Sequence, residues 1–245
     1  MSEVLHEAAE AIKRSPLVVA VTGAGISTES GIPDFRSPGG LWTKYPPDEY
    51  ATYEAFIDNP DKVWTMFYEL GETLLNAKPN PAHYALAKLE ELGKLQGVVT
   101  QNIDGLHQQA GNTVVVEYHG NINVLNCSAC WRKRKMDLTF KKIGAPRCEC
   151  GGYMKPNVVL FGEPIPHQAM MQADTLARTC NAMIVVGTSA QVYPAAGLPY
   201  AAKDNGAYII ECNTEPTDFT HRITDAFLEG PAGVMLPKLV ELVQQ

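Results

Sequence analysis

Basic side chains are the minority in this chain. Against 27 aspartates and glutamates stand 20 lysines and arginines, for a formal net charge of −7. No global positive field exists to gather phosphate, so nucleic-acid binding is not expected. No apolar run approaches the roughly 20 residues of a membrane-crossing helix, and no membrane partner is expected. The opening residues Met1-Ser-Glu-Val-Leu-His-Glu7 are acidic where a secretory leader is basic. Cysteine is scarce, 6 in 245 residues. That points away from a disulfide scaffold and toward metal binding or catalysis. Internal repeats and low-complexity tracts are missing too. A soluble, cytoplasmic, monomeric protein is the expectation.

Core-forming residues are plentiful, at 45% hydrophobic. That suffices for one large domain, or one domain with a small insert. The run Leu17-Val-Val-Ala-Val21 reads as a buried parallel strand. It enters Thr22-Gly-Ala-Gly-Ile-Ser-Thr-Glu-Ser-Gly-Ile-Pro-Asp-Phe-Arg36. A strand running into Gly-x-Gly presents backbone N–H groups to a pyrophosphate, and the glycines allow close approach. The usual dinucleotide fingerprint is incomplete. Its third glycine would fall at Thr28, and no acidic residue closes a second strand about 20 residues on. Instead a carboxylate, an aromatic ring and a guanidinium follow at Asp34, Phe35 and Arg36. This combination suggests a nucleotide that takes part in chemistry.

Apolar spacing predicts an amphipathic helix over residues 3–14. A second helix is expected over 81–93, with Pro81 at its start and Gly93 at its end. Strands are expected at Leu95–Thr100, Thr113–Glu117, Ala182–Val186 and Ala207–Glu211, and a last helix at Leu236–Val243. Strands alternating with helices imply a parallel α/β sheet. Residues 38–80, rich in Pro, Tyr and Trp, should form short covering helices, and 121–160 breaks the α/β rhythm.

That second stretch holds Cys127-x-x-Cys130 and Cys148-x-Cys150. Two close pairs at this separation suit a tetrahedral, structural Zn²⁺. The second pair is one residue short, and Gly151-Gly152 can supply the compensating turn. Cys180 and Cys212 read as packing residues. The basic run Trp131-Arg-Lys-Arg-Lys135 reads as a solvated hairpin face.

Thr100-Gln-Asn-Ile-Asp-Gly-Leu-His107 follows a strand, at the sheet edge where open α/β folds bind ligands. Gln101, Asn102 and Asp104 there suit a ribose or an amide, though the composition equally fits a polar Asx turn. His119, at the end of the run Val114–Tyr118, is placed to act as a base near neutral pH. His107 competes with it. His6, His83, His167 and His221 read as surface or helix residues.

Together these segments resemble the sirtuin family of NAD-dependent protein deacylases. The resemblance is carried in order by Gly23-Ala-Gly-Ile-Ser27, Gly31-Ile-Pro-Asp-Phe-Arg36, the 100–107 segment, His119-Gly120 and the four cysteines. It continues through Pro156-Asn-Val-Val-Leu-Phe-Gly-Glu163, Gly187-Thr-Ser189 and Asn213-Thr-Glu215. It implies a Rossmann-type NAD domain (1–38 with 81–120 and 161–245) and a small zinc-binding and helical domain. The small domain would come from two insertions, 39–80 and 121–160. NAD contacts implied are Gly23, Ala24, Gly25, Ser27, Thr28, Asp34, Phe35, Arg36, Gln101, Asn102, Ile103, Asp104 and His119. Gly187, Thr188, Ser189, Asn213, Thr214, Glu215 and Ala232 would contact NAD as well, with Ser189 and Asn213 holding the adenosine half. His119 would be the general base, with Asn102 and Asp104 orienting ribose and nicotinamide amide. Phe35 would shield the reacting carbon from water. One structural zinc on Cys127, Cys130, Cys148 and Cys150 is implied. An acyl-lysine peptide would add as a strand between Val159–Glu163 and Gln191–Tyr193, against Val159, Phe161, Gly162, Glu163 and Val192. Products would be free lysine, nicotinamide and 2′-O-acyl-ADP-ribose.

The segment Ala51-Thr-Tyr-Glu-Ala-Phe-Ile-Asp-Asn-Pro60 and the tail Gly230-Pro-Ala-Gly233 look like the class that removes succinyl and malonyl groups. That class carries Tyr-x-x-Arg in the following helix, and an arginine fork suits an acyl carboxylate. Here the positions fall on Phe67 and Leu70, or shifted by one on Tyr68 and Gly71, and neither register supplies an arginine. Removal of neutral acyl groups is expected, with Met66, Phe67 and Leu70 against the acyl chain. Two rival readings are an NAD glycohydrolase or ADP-ribosyltransferase that needs no peptide, and a zinc-ribbon interaction module that binds nucleic acid and has lost catalysis.

Overall fold

The computed structural model describes residues 3–136 and 144–245. The expected 121–160 insertion therefore includes seven positions, 137–143, outside the described residues, as are Met1 and Ser2.

Six parallel strands form the central sheet: β1 (Val18–Thr22), β2 (Leu95–Thr100), β3 (Val115–Glu117), β7 (Ala182–Val186), β8 (Tyr208–Asn213) and β9 (Ala226–Glu229). Their order is β3-β2-β1-β7-β8-β9. Every residue of β1 and β7 is buried, which is why both read as unbroken apolar runs. Val18 and Ala20 face helices Glu3–Arg14, Pro81–Glu91 and Ala232–Gln244, packing on Leu5, Ile12, Leu86 and Leu239. Val19 and Val21 face the opposite layer, helices His167–Thr179 and Gly197–Asp204, through Ala173, Ala177 and Ala202. From β1 the chain first builds outward through β2 and β3, then returns to β7 on the other side. The order thus reverses between β1 and β7, and the crevice above their carboxyl ends is the expected ligand site.

A second, three-stranded antiparallel sheet, in order β5-β4-β6, consists of β4 (Gly120–Cys127), β5 (Lys133–Lys135) and β6 (Met154–Val158). It packs on helix Pro60–Asn76, giving a separate hydrophobic core. That core joins Phe56, Val63, Trp64 and Phe67 to Leu125, Met154 and Leu160. Trp64 Nε1 donates to the Met154 carbonyl at 2.9 Å, so the indole N–H is satisfied while its rings are buried.

Several expectations shift. The covering helices of 38–80 are not all short, since Pro60–Asn76 runs 17 residues, capped by the Asn59 side chain on Lys62 N. β3 begins at Val115, and β8 runs on through Cys212 and Asn213. The last helix begins at Ala232 and carries Pro237 within it. β9 and the helices 167–179 and 197–204 have no counterpart in the sequence reading.

Candidate functional site

Two glycine loops meet in the crevice. Gly23 N donates to Val186 O at 2.9 Å and Gly25 N to Gly187 O at 2.8 Å. A Cβ on Gly25 would lie 2.7 Å from Gly187 Cα, so the loops touch only because neither carries a side chain there. After Gly23 the chain turns into a tight 3-10 helix, Ala24–Ser30, ended by Gly31 at φ +83°. The Asp34 carboxylate accepts from the N–H groups of Arg36 and Ser37 at 3.0 and 2.8 Å and so shapes the loop that carries Phe35.

A cavity of about 1320 Å³ opens from these loops toward the small sheet. Every residue expected to touch NAD lines it, and so do Met66, Phe67, Leu70, Val159, Phe161, Gly162, Glu163 and Val192. Residues not anticipated also line it, among them Glu29, Ile32, Trp42, Leu74 and Met170. Trp42 stands between Phe35 and Phe161, with ring centroids 4.8 and 6.3 Å away.

Of the two candidate bases, only His119 lines this cavity. Its Nδ1 lies 3.2 Å from the Gln101 carbonyl oxygen. A carbonyl only accepts, so Nδ1 carries the hydrogen and Nε2 keeps its lone pair. Burial holds its pKa below 6.5, partly offset by that hydrogen bond, and the ring is neutral at pH 7. His107 is buried instead, its Nε2 2.9 Å from Thr22 Oγ1. Burial pushes its pKa down to about 3. His83 belongs to the helix but not to the surface: it is fully buried, its ring 5.0 Å from that of His107, and burial lowers its pKa to about 4.

His119 shares the cavity with a polar cluster. Ser27 Oγ donates to Asp104 Oδ2 at 2.8 Å. The Asn102 amide donates to Gly23 O at 3.0 Å and to Ser27 Oγ at 3.2 Å. Both donor hydrogens are thereby used inward, which leaves Oδ1 as the group offered to a ligand. Asp104 Oδ1 also accepts from Leu106 N at 2.9 Å, while burial raises its pKa. At the far end, Asn213 Nδ2 donates to Thr188 O at 3.1 Å and Gln101 Nε2 to Thr188 Oγ1 at 3.1 Å.

Of the two registers left open by the sequence, the residues of one line the cavity. Met66, Phe67 and Leu70 face the cavity. Tyr68 turns the other way, its hydroxyl donating to Gly144 O at 2.9 Å. Glu163 lines the cavity, yet its Oε2 accepts from Lys155 Nζ at 2.8 Å and from Leu160 N at 2.9 Å.

Across the second core, the four thiols of Cys127, Cys130, Cys148 and Cys150 lie within 4.8 Å of one another. Zn–S bonds of about 2.3 Å in a tetrahedron place sulfurs about 3.8 Å apart. The separations of 3.5 Å (Cys127–Cys150) and 3.7 Å (Cys130–Cys148) fit that ion. Backbone N–H groups of Cys130 and Ala129 point at Cys127 Sγ and favour its thiolate. The short pair closes through Gly151, at φ +88°, whose N–H donates to Cys148 O at 2.9 Å. Four thiolates complete the shell, so a zinc here is structural.

Crossing glycine loops at a parallel-sheet switch point, a neutral histidine in the same cleft and a thiolate module define a nucleotide-binding α/β protein with a structural metal site. The chain belongs to the Sir2 family, whose model matches residues 23–194. It is 48% identical over 238 residues to NAD-dependent protein deacylase 2 of Pyrobaculum aerophilum, covering 97% of this chain and 95% of the relative. Its fold superposes with a TM-score of 0.95, at 41% identity, on a Sir2 homologue mutant in complex with ADP-ribose, covering 100% of this chain and 97% of the other. A third similar protein is Sir2Af2 bound to a myristoylated histone peptide, with a TM-score of 0.84 and 41% identity, covering 100% of this chain and 98% of that one.

Proposed function

We propose that this chain removes acyl groups from protein lysine side chains with NAD as co-substrate, releasing nicotinamide and 2′-O-acyl-ADP-ribose. The observation that carries the reading is His119, neutral and with Nε2 available, in the cavity that the cofactor loops share with the 159–163 segment. The Sir2 membership and the deacylase names of the relatives support it.

NAD, when bound, supplies an electrophilic ribose carbon and a nicotinamide leaving group. His119 Nε2 accepts a proton from a ribose hydroxyl. Asn102 Oδ1 and Asp104 orient the nicotinamide end, with Ser27 and Asn102 Nδ2 fixing them from behind. N–H groups of the 23–28 turn and Arg36 face the phosphates, and Thr188, Ser189, Asn213, Thr214, Glu215 and Ala232 enclose the adenosine. Phe35, held by Trp42, keeps water from the reacting carbon.

The peptide backbone bonds to Gly162 and to the Gln191–Tyr193 segment. Phe161 is committed elsewhere, its N–H to Ala51 O and its C=O to Tyr53 N, both at 2.9 Å. The acyl chain lies along Met66, Phe67, Leu70 and Leu74. These four side chains carry no charge, which favours neutral acyl groups, acetyl and longer, over succinyl. The separate core joining the two insertions supports the two-domain division at 39–80 and 121–160. Among the described residues no helix is long and apolar enough to cross a membrane, and we assign the protein to the cytoplasm as a monomer.

The test is nicotinamide release from NAD with and without acetyl-, succinyl- and myristoyl-lysine peptides. Release that requires a peptide, and is best with a neutral acyl group, supports the reading. Equal release without peptide would make the protein an NAD hydrolase.

A further inference from the structure

Lys155 and Glu163 form an ion pair in an unusual place. Their side chains are only 12% and 20% exposed. The Lys155 ammonium donates to Glu163 Oε2 at 2.8 Å, Val158 O at 2.6 Å and Pro156 O at 3.3 Å. All three of its hydrogens are used within one short stretch of chain. The same carboxylate oxygen takes Leu160 N at 2.9 Å, and Glu163 N returns a bond to Leu160 O at 3.0 Å. The turn that ends β6 is therefore wound around one charge pair.

Burying such a pair is a poor way to gain stability, because desolvation offsets most of the attraction and an apolar pair of similar volume often does as well. What the pair does fix is direction. It holds the chain between Leu160 and Glu163, where Gly162 sits at φ +87°. Among the described residues, Gly162 has no backbone partner, so its N–H and C=O are available to an incoming strand. Val159 N is already tied to His119 O at 2.9 Å, which links the same turn to the residue beside the chemistry.

We propose that Lys155 and Glu163 are a positioning pair that pre-forms the peptide-binding edge, so that Glu163 acts through its carboxylate on the turn and not on the substrate. This inference rests on the reading of 159–163 as the peptide segment. A preformed edge binds its strand without first ordering a loop, so the pair acts on peptide affinity. NAD contacts lie on other elements, and neither side chain of the pair bonds to any of them.

Steady-state kinetics of Glu163→Gln, Lys155→Met, Lys155→Arg and the Lys155→Met/Glu163→Gln double variant test this, with ADP-ribose affinity by calorimetry as the check on folding. Each single neutral substitution is expected to raise the KM for acetyl-lysine peptide about tenfold or more, because one buried charge is left unpaired. kcat at saturating peptide and the KM for NAD stay within about twofold of wild type. Lys155→Arg keeps the charge and retains most of the peptide affinity. The double variant leaves no orphan charge but also no pair, so its peptide KM is raised above wild type yet no higher than that of either single variant. An unchanged peptide KM in Glu163→Gln overturns the proposal, as does a fall in kcat and NAD affinity matching the rise in peptide KM. If Glu163→Gln loses ADP-ribose affinity through misfolding, the double variant decides by the same criteria. Failure of wild-type protein to process any acyl peptide overturns the deacylase reading instead, a result separate from all of these.

Discussion

Gly25 and Gly187 touch backbone to backbone across the sheet's switch point, with Gly25 N 2.8 Å from Gly187 O. Gly187 sits at φ +58°, and a Cβ there would meet Ile26 N at 2.4 Å. Gly187→Ala therefore forces both a left-handed alanine and a backbone shift. A loss of stability on the order of 2–4 kcal/mol is expected, with loss of ADP-ribose binding, measurable by urea unfolding and calorimetry. A variant of unaltered stability and affinity would show that the loops do not need this contact.

Protonation of His119 should set the acid limb of the reaction. Its folded pKa lies below 6.5 because burial disfavours the imidazolium. kcat/KM should therefore stay level as pH falls from 8 to 6.5 and decline only below that. A limb centred above 7 would contradict the neutral, Nδ1–H form deduced from Gln101. His119→Ala should lower kcat by about 10²–10⁴-fold.

The buried pair His83 and His107 makes stability depend on acid. Their folded pKa values, about 4 and about 3, lie below that of an unfolded histidine. Below pH 6.5 the unfolded chain takes up protons that the folded chain refuses. Their contribution is thus complete above pH 6.5 and is lost as pH falls toward 4 and then 3, at about 1.4 kcal/mol per pH unit for each histidine. Urea unfolding at pH 7 and pH 5 should differ by a few kcal/mol. A His107→Gln variant should show a shallower slope.

Acyl preference should follow the cavity wall. Phe67 and Leu70, not Tyr68 and Gly71, face the cavity. Introducing Phe67→Tyr with Leu70→Arg should raise kcat/KM for succinyl-lysine peptide about 10- to 100-fold relative to acetyl, as expected for one charged hydrogen bond worth 1.5–3 kcal/mol. No relative gain would mean that the acyl chain runs elsewhere.

Metal analysis should find one zinc per chain. Removing it should disturb more than the thiolate module, because Trp64 on helix Pro60–Asn76 bonds Met154 of β6. Chelation is expected to shift tryptophan fluorescence and weaken peptide binding before NAD binding. Full peptide affinity after zinc removal would contradict the shared core.

Strands buried on both faces were legible from sequence. Leu95–Thr100 and Ala182–Val186 stand where their apolar runs place them, since burial demands continuous hydrophobicity. Helix Glu3–Arg14 was equally clear from its one apolar face. β9 is four residues, Ala226–Glu229, at a sheet edge, too short to show a period. Helix His167–Thr179 buries only Ala173 and Ala177, small residues that leave a faint stripe. Within the site, the loops and the cysteine quartet announced themselves by spacing. The choice of His119 over His107 did not, because it depends on which ring the fold buries. Nor did the orientation of Glu163, whose partner Lys155 lies eight residues back with no motif between them.

Mass spectrometry of the products formed from NAD and an acetyl-lysine peptide, by wild type and by His119→Ala side by side, tests the central claim most directly. Wild type should yield deacetylated peptide, nicotinamide and 2′-O-acetyl-ADP-ribose in equal amounts, and His119→Ala almost none of the last. ADP-ribose as the sole nucleotide product, formed whether or not peptide is present, would contradict it.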